Sequence, residues 1–395
     1  MILELPRKTE HLGAVRIHEV QRVYELDSGA SKFPTRAKEA VATISSDEIE
    51  RINEKMAIIV PIKNERLNLL EGVLSGIPHD CQVIVVSNSS RSPVDRFQTE
   101  KQSIKEFNHF VDDKILLVHQ QDPGISKAFR DVGFNSVLES GTVRGGKAEG
   151  MLVATLLGKM LDKKYLGFID ADNYIPGAVH EYVEIYAAGF TLAESPYSMV
   201  RVSWTHKPKI EADRLFFPKW GRVSEVTNQC LNRLIESHTG FGTEIIKTGN
   251  AGEHALSTAL ADLLFYASGF AVETYEIVNI LEQFGGLLPP THPEVMSSGV
   301  DIFQIETRNP HLHENKGDEH IEDMLLSSLG AIYNSPICTE KAKNNIASVL
   351  AARGLAKEGQ EPPAPTKIEP AATLDLARFA ETIRRESQTL SEFGK

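Results

Sequence analysis

Four short runs of unbroken apolar residues constrain this chain most: "MAIIV" from Met56, "QVIVV" from Gln82, "KILLV" from Lys114 and "YLGFI" from Tyr165. A strand with one wet face alternates apolar and polar residues. A run without alternation is covered on both sides. Between the first two runs, "RLNLLEGVLSGI" places Leu67, Leu70, Val73 and Leu74 on one face of a helix. Ahead of the fourth, "GKAEGMLVATLLGKML" also reads as a helix. Strands and helices in alternation predict an α/β fold, a mostly parallel sheet flanked by helices. Such sheets bind ligands beyond the carboxyl ends of their strands. Here those ends carry "PIKNE", "SNSS", "HQQDPG" and "DADN". The polar chemistry therefore collects on one edge.

Asp170 and Asp172 close the fourth run. In an extended chain, residues i and i+2 point to one side, so both carboxylates face one place. Two like charges that close call for a positive partner, and a hard cation such as Mg²⁺ or Mn²⁺ suits oxygen ligands. The same letters also fit a strand end followed by an Asp-Asn turn.

Three glycine-rich stretches carry further polar groups. "RGGKAEG" puts Gly145, Gly146 and Lys147 at a helix start, which suits either phosphate contact or simple capping. "KWGRVSEVTN" offers Gly221, Arg222, Val223 and Ser224 at another, an anion cradle or an N-cap. "KTGNAGEHAL" gathers Asn250, Glu253 and His254 in one turn, as ligand contacts or as a cap with a solvated Glu. "NPHLHE" holds His311 and His313, either of which can ligate a metal. The Walker, GxGxxG and HExxH patterns are absent.

The second half is less regular. "FTLAESPYSMVRVSWTHKP" suggests two strands about a turn at Ser195-Pro196. "VSEVTNQCLNRLI" is a helix, "TGNAGEHALSTALADLL" a turn running into a helix, and "GFAVETYEIVNILEQFG" a strand then a helix. "DIFQIETRNPHLHEN" is a strand ending in the histidine loop, and "EHIEDMLLSSLGAIYNS" is a helix. Residues 356–370 are Pro-rich and read as a linker. Residues 371–393 read as an amphipathic helix with a partial stripe of Leu374, Leu376, Phe379, Ile383 and Leu390. It is expected to dock on the core or on a second copy in a homodimer. Four regions follow: an N-terminal segment, 1–55; a half ending in the aspartate pair, 56–175; a half that carries the histidine loop, 176–335; and C-terminal helices, 336–395.

The net charge of −12 argues against general binding to nucleic acid or an anionic membrane. Cys81, Cys230 and Cys338 are too scattered for a metal site and read as reduced core thiols. No signal peptide and no run of about 18 apolar residues is evident, so a cytoplasmic protein is expected.

Taken in order and at their spacing, "VPIKNERLNLLEGVLSGIPH", "VSNSS", "GKAEGM", "GFIDADNYIPGAVHEYV", "AAGF", "GRVSE", "TGNAGEHA" and "FQIETRNPHLHE" resemble the mannosyl-3-phosphoglycerate synthases. These are retaining glycosyltransferases of GT-A fold. More distantly the chain looks like the glucosyl-3-phosphoglycerate synthases, and that donor is the alternative. The resemblance implies GDP-mannose as donor, 3-phosphoglycerate as acceptor, and a divalent metal, Mg²⁺ first and Mn²⁺ or Co²⁺ next. It implies metal ligation by Asp170, Asp172 and one of His311 and His313. Donor contacts fall to Pro61, Lys63, Asn64, Glu65, Ser87, Asn88, Gln121, Lys147, Asp170 and Ala171. Acceptor contacts fall to Gly221, Arg222, Val223, Ser224, Asn250 and His254. Asp170, Asp172, Arg222 and Glu253 carry the catalytic expectation, with Glu253 the one speculative candidate for a covalent route.

Overall fold

Met56, Ile58 and Val60 pack into one apolar cluster while Ala57 and Ile59 pack into another, and all five are fully buried. Val83 and Val85 divide from Ile84 and Val86 in the same way, as do Ile115 and Leu117 from Leu116 and Val118. The period-two division of unbroken apolar runs is what a sheet covered on both faces requires. The computed structural model describes residues 1–26, 40–173, 175–205, 209–211, 214–216, 222–310, 318–357 and 360–394.

Among the described residues, thirteen strands form the main sheet. The Met56–Ile62, Gln82–Ser87 and Ile115–His119 strands run parallel, and Tyr165–Phe168 is parallel to Met56–Ile62 on its other side. Next comes His254–Ser257, antiparallel to both its neighbours, Tyr165–Phe168 and Ser198–Ser203. Val300–Glu306 then runs parallel to Ser198–Ser203, followed by the N-terminal strands. Five strands up to Thr43 and a helix, Ser46–Asn53, make up the start of the chain. That helix is opened by a reciprocal capping box between Ser45 and Glu48.

The Lys147–Met160 helix is buried without a break from Ala148 to Gly158. Its apolar residues run all round rather than along a stripe, so it lies within the core.

Several readings of the second half need correction. Phe190 to Leu192 belongs to the long Pro176–Leu192 helix, so the first of two suggested strands is absent and only Ser198–Ser203 forms. His254–Ser257 is a strand, and the helix after it is a short one, Thr258–Ala261. The segment read as strand then helix is a 3-10 turn, Gly269–Ala271, leading into the Val272–Phe284 helix. The Pro-rich stretch is no free linker. Ile368 is fully buried, Lys367–Ile368 pairs with Tyr266–Ala267, and the carbonyl of Pro363 would lie 2.4 Å from a Cβ at Gly330. The last helix is Leu376–Glu386, shorter than read, and strand Ser391–Phe393 follows it along Ile115–Leu117. The helix docks on its own chain: Phe379 and Ile383 are fully buried, with Phe379 4.8 Å from the Phe129 ring on the Pro123–Asp131 helix.

Candidate active site

Parallel strands bring their carboxyl ends together, so Pro61, Asn64, Asn88, Gln121 and Asp170 share one edge of the sheet. Because Tyr165–Phe168 pairs with His254–Ser257 in the antiparallel sense, Phe168 lies opposite His254. The start of that strand therefore meets the end of its neighbour. This one reversal brings Glu253 to Asn173, 80 residues before it in the chain, and so beside the aspartates.

Lys147 lies at the centre. Its Nζ donates 2.7 Å bonds to Asp170 Oδ1 and to Glu273 Oε1. Burial alone would lower the ammonium, but the two carboxylates outweigh it and hold Lys147 well above its ordinary range. Asp170 is pushed up, first by burial and then by the negative charge of Glu253 and Asp172, with Lys147 opposing. Glu273, although buried, is held low by the same lysine. Asp172 is buried beside them. The strand has ended by then: Ala171 and Asp172 form a turn, so the expected extended i, i+2 pair is in fact a pair folded around a turn. Asn173 Nδ2 braces that turn, donating to the Asp170 carbonyl at 2.8 Å and to Glu253 Oε1 at 2.9 Å. Glu253 is 1% exposed, so it faces this cluster and not solvent.

Asp170 and Glu273 share one ammonium, and Asp172 and Glu253 add negative charge beside Asp170. Such an excess of carboxylate oxygen suits a hard cation, although among the described residues no three such side chains stand close enough together to hold a metal ion by themselves.

The loops after the first two parallel strands are held from beneath. Ser87 and Ser89 donate their hydroxyls to the buried Glu100 at 2.7 and 2.6 Å. The Asn64 amide donates to Ser89 Oγ at 2.7 Å, and Asn64 Oδ1 accepts from the Ser90 amide at 3.0 Å. Asn64 takes a positive φ of 64°, which asparagine tolerates. The Lys63 amide is tied to Glu65. Ser87, expected as a donor contact, thus spends its hydroxyl inside the protein and acts as a support.

The turn from Lys247 to Glu253 is built on a deeper knot. Arg201 is fully buried and donates through Nε to the Thr248 carbonyl and through Nη2 to the Glu273 carbonyl, both at 2.9 Å. It faces Glu276 Oε2 at 3.4 Å. His254, also fully buried, has Nδ1 3.0 Å from the Gly252 carbonyl, Nε2 3.1 Å from Glu276 and its ring stacked on Phe168. Its ring nitrogens are engaged within the protein, where they brace the turn. Asn250 is anchored by Nδ2 to Thr274 and Ser328. The Gly249 amide donates to Asn228 Oδ1 at 2.7 Å. Asn228 lies on the Arg222–Thr239 helix, so that helix start, with Val223 and Ser224, adjoins the turn.

Gly221, His311 and His313 lie outside the described residues. The strand that leads to the histidines, Val300–Glu306, ends on the same edge as Ser198–Ser203. Sequence reasoning missed Glu273, Glu276, Arg201 and Asn173. For Glu273 the available signal was its place in the first turn of a helix, where a carboxylate is favoured.

Comparison with known proteins agrees. The family model described as "Mannosyl-3-phosphoglycerate synthase" matches residues 5–383. A mannosyl-3-phosphoglycerate synthase of Pyrococcus furiosus is 46% identical over 399 residues, covering all of both chains. One of Aeropyrum pernix is 39% identical over 391 residues, 98% of this chain and 99% of that one. Among solved structures, a glucosyl-3-phosphoglycerate synthase of Mycobacterium tuberculosis, in complex with Mn²⁺, UDP-glucose and phosphoglyceric acid, aligns with a TM-score of 0.50. That alignment has 16% identity and covers 84% of this chain and 95% of the other, a likeness of fold. The chain belongs to the mannosyl-3-phosphoglycerate synthase family.

Proposed function

We propose that this chain transfers mannose from GDP-mannose to the 2-hydroxyl of 3-phosphoglycerate, with retention at the anomeric carbon, releasing GDP. One observation carries the reading beyond family membership. Lys147, Asp170, Asp172 and Glu253 converge on the sheet edge where a parallel α/β sheet receives its ligands. Asp170 and Asp172, with His311 or His313, would hold the divalent cation, Mg²⁺ first. When bound, it offsets the charge of the diphosphate and makes GDP a better leaving group.

The chain's own groups supply the rest. Lys147 is a fixed positive charge for the diphosphate. The amides at Asn64 and Ser90 are locked in place ahead of nucleotide binding. Arg222 and the first turn of its helix, Arg222–Thr239, would hold the phosphate of the acceptor. Glu253 is braced by Asn173 beside Asp170 and is not offered as a nucleophile. Attack is then on the face from which GDP leaves. The anomeric carbon loses its bond to the phosphate oxygen and gains one to the glycerate oxygen. The departing phosphate oxygen takes the hydroxyl proton, so no dedicated base is needed. A cytoplasmic setting belongs to the same reading. No helix among the described residues is long and apolar enough to cross a membrane.

The test is a matrix of GDP-mannose, GDP-glucose and UDP-glucose against 3-phosphoglycerate and D-glycerate. Nucleoside diphosphate release is measured before and after exhaustive chelation, and the anomeric configuration of the product by NMR. The expected outcome is GDP release from GDP-mannose with 3-phosphoglycerate alone, lost on chelation and restored by Mg²⁺. Preference for UDP-glucose, or full turnover without metal, would overturn the assignment.

A further inference from the structure

We propose that the C-terminal segment from Ser387 to Phe393 is a positioning element for the donor side of the site, acting through Thr389 and Asp122. The donor side is taken from the function proposed above. Asp122 is 1% exposed and lies just past the carboxyl end of the Ile115–His119 strand. Its Oδ1 caps the Pro123–Asp131 helix, accepting from the amides of Gly124 at 2.7 Å and Ile125 at 3.2 Å. Its Oδ2 grips the tail alone. It accepts from Ser387 Oγ at 3.1 Å, the Gln388 amide at 2.9 Å, the Thr389 amide at 2.8 Å and Thr389 Oγ1 at 2.6 Å. A buried carboxylate with every lone pair taken is rigid and expensive to disturb. Gly124 completes the joint, since a Cβ there would lie 2.4 Å from the backbone of Glu386.

From this joint one hydrogen-bonded route runs to the donor loops, and a second set of bonds starts at Gln120, the chain neighbour of His119. Thr389 Oγ1 accepts from the His119 amide at 3.1 Å. The His119 ring then donates through Nε2 to the Ser89 carbonyl at 2.9 Å and accepts through Nδ1 from the Gln121 amide at 3.2 Å. Ser89 is the residue whose hydroxyl holds the Asn64 amide. Gln120, held between His119 and Gln121 in the chain, donates through Nε2 to the carbonyls of Arg144 at 2.5 Å and Gly146 at 2.9 Å. It thereby fixes the turn that presents Lys147. A tail that only covered the exposed sheet edge would need Ser391–Phe393 against Ile115–Leu117 and nothing more. The grip on Asp122 acts beyond that pairing, at the polar end of the strand.

Thr389→Val keeps the shape and removes the hydroxyl that serves both Asp122 and His119. Thr389→Ser keeps the hydroxyl. For Thr389→Val we expect the KM for GDP-mannose to rise about tenfold, with the KM for 3-phosphoglycerate unchanged. We also expect faster amide hydrogen exchange at 87–90 and 144–150 in the ligand-free protein. Thr389→Ser is expected to behave as wild type in both. Truncation after Leu390 removes the edge strand and spares the grip, so it should leave donor KM and exchange at 144–150 unaltered. If Thr389→Val changes only the thermal midpoint, or if the truncation alone reproduces its donor effect, the proposal is overturned. Should wild type fail to use GDP-mannose, the function is misread, while the exchange comparison still decides the coupling.

Discussion

Lys147 divides one positive charge between two carboxylates, Asp170 and Glu273, at equal distance. Glu273→Gln removes one of them. The ammonium then pairs with Asp170 alone and competes harder for the group expected to hold the cation, while the cluster loses a negative charge. Both effects weaken metal binding. We expect Mn²⁺ affinity to fall about tenfold, read from free Mn²⁺ by electron paramagnetic resonance, with kcat falling as well. Unchanged Mn²⁺ affinity would remove Glu273 from the metal side of the site. Arg222 opens the Arg222–Thr239 helix. A charge-assisted contact to phosphate is worth about 1.5 to 3 kcal/mol, or roughly ten- to a hundredfold in affinity. Arg222→Ala should raise the KM for 3-phosphoglycerate by that factor, and Arg222→Lys by less, because lysine lacks the planar fork. Steady-state kinetics with each substrate varied checks this. A rise in the KM for GDP-mannose instead would move the turn to the donor side.

The element that joins the two halves of the site is the turn from Lys247 to Glu253. Gly252 has no room for a side chain: a Cβ there would lie 2.7 Å from Asp170 Oδ2 and 3.6 Å from Lys147 Nζ. Gly252→Ala must push Asp170 aside. A misplacement of that order costs about a hundredfold in turnover, and because the added methyl meets Asp170 and Lys147, not the buried Ala251 of the same turn, the thermal midpoint should stay near wild type. Activity within twofold of wild type would show that the turn yields freely. The same stretch shows where sequence reading fails. The four unbroken runs were legible because both-face burial leaves its mark on every residue. Asp170 and Asp172 were legible because they end one of those runs. His254–Ser257 was not, since four residues are too few for a period and "HALSTALADLL" continues with helical spacing. Phe190 to Leu192 was read as a strand because aromatic and β-branched residues are also enriched there, although a 17-residue helix carries them. Glu273 was hidden for another reason. It lies 126 residues from Lys147, and only the order of strands in the sheet brings them together.

Across the whole molecule, the N-terminal strands are locked to the sheet through one buried carboxylate. Asp301 accepts from Arg16 through Nε and Nη2 at 2.5 and 2.8 Å, lies 3.3 Å from His18 Nε2, and accepts from the amides of Glu194 and Ser195. Burial works to raise its pKa, but His18, Arg16 and the Ser195 amide overcome burial and hold it well below the usual carboxylate range. A carboxyl depressed in the folded state adds stability above its unfolded pKa of about 3.9, and that stability is lost as pH falls toward the folded value. Asp301→Asn should therefore cost about 3 to 5 kcal/mol at neutral pH and flatten the loss of stability below about pH 4. Denaturant titrations at pH 7 and pH 3 measure both, and an equal difference between variant and wild type at the two pH values would refute the linkage.

The crowding of chemistry onto one rim leaves the opposite rim of the sheet idle. There the chain turns from the buried Lys147–Met160 helix into the Tyr165–Phe168 strand through Leu161, Asp162, Lys163 and Lys164. Asp162 stands in the left-handed region at φ 53°, with its side chain out in solvent. Nothing at that turn touches a ligand-facing group. It is a place where the protein can be rebuilt, and a fluorescent reporter or affinity tag spliced after Asp162 should ride on the enzyme without altering its kinetics.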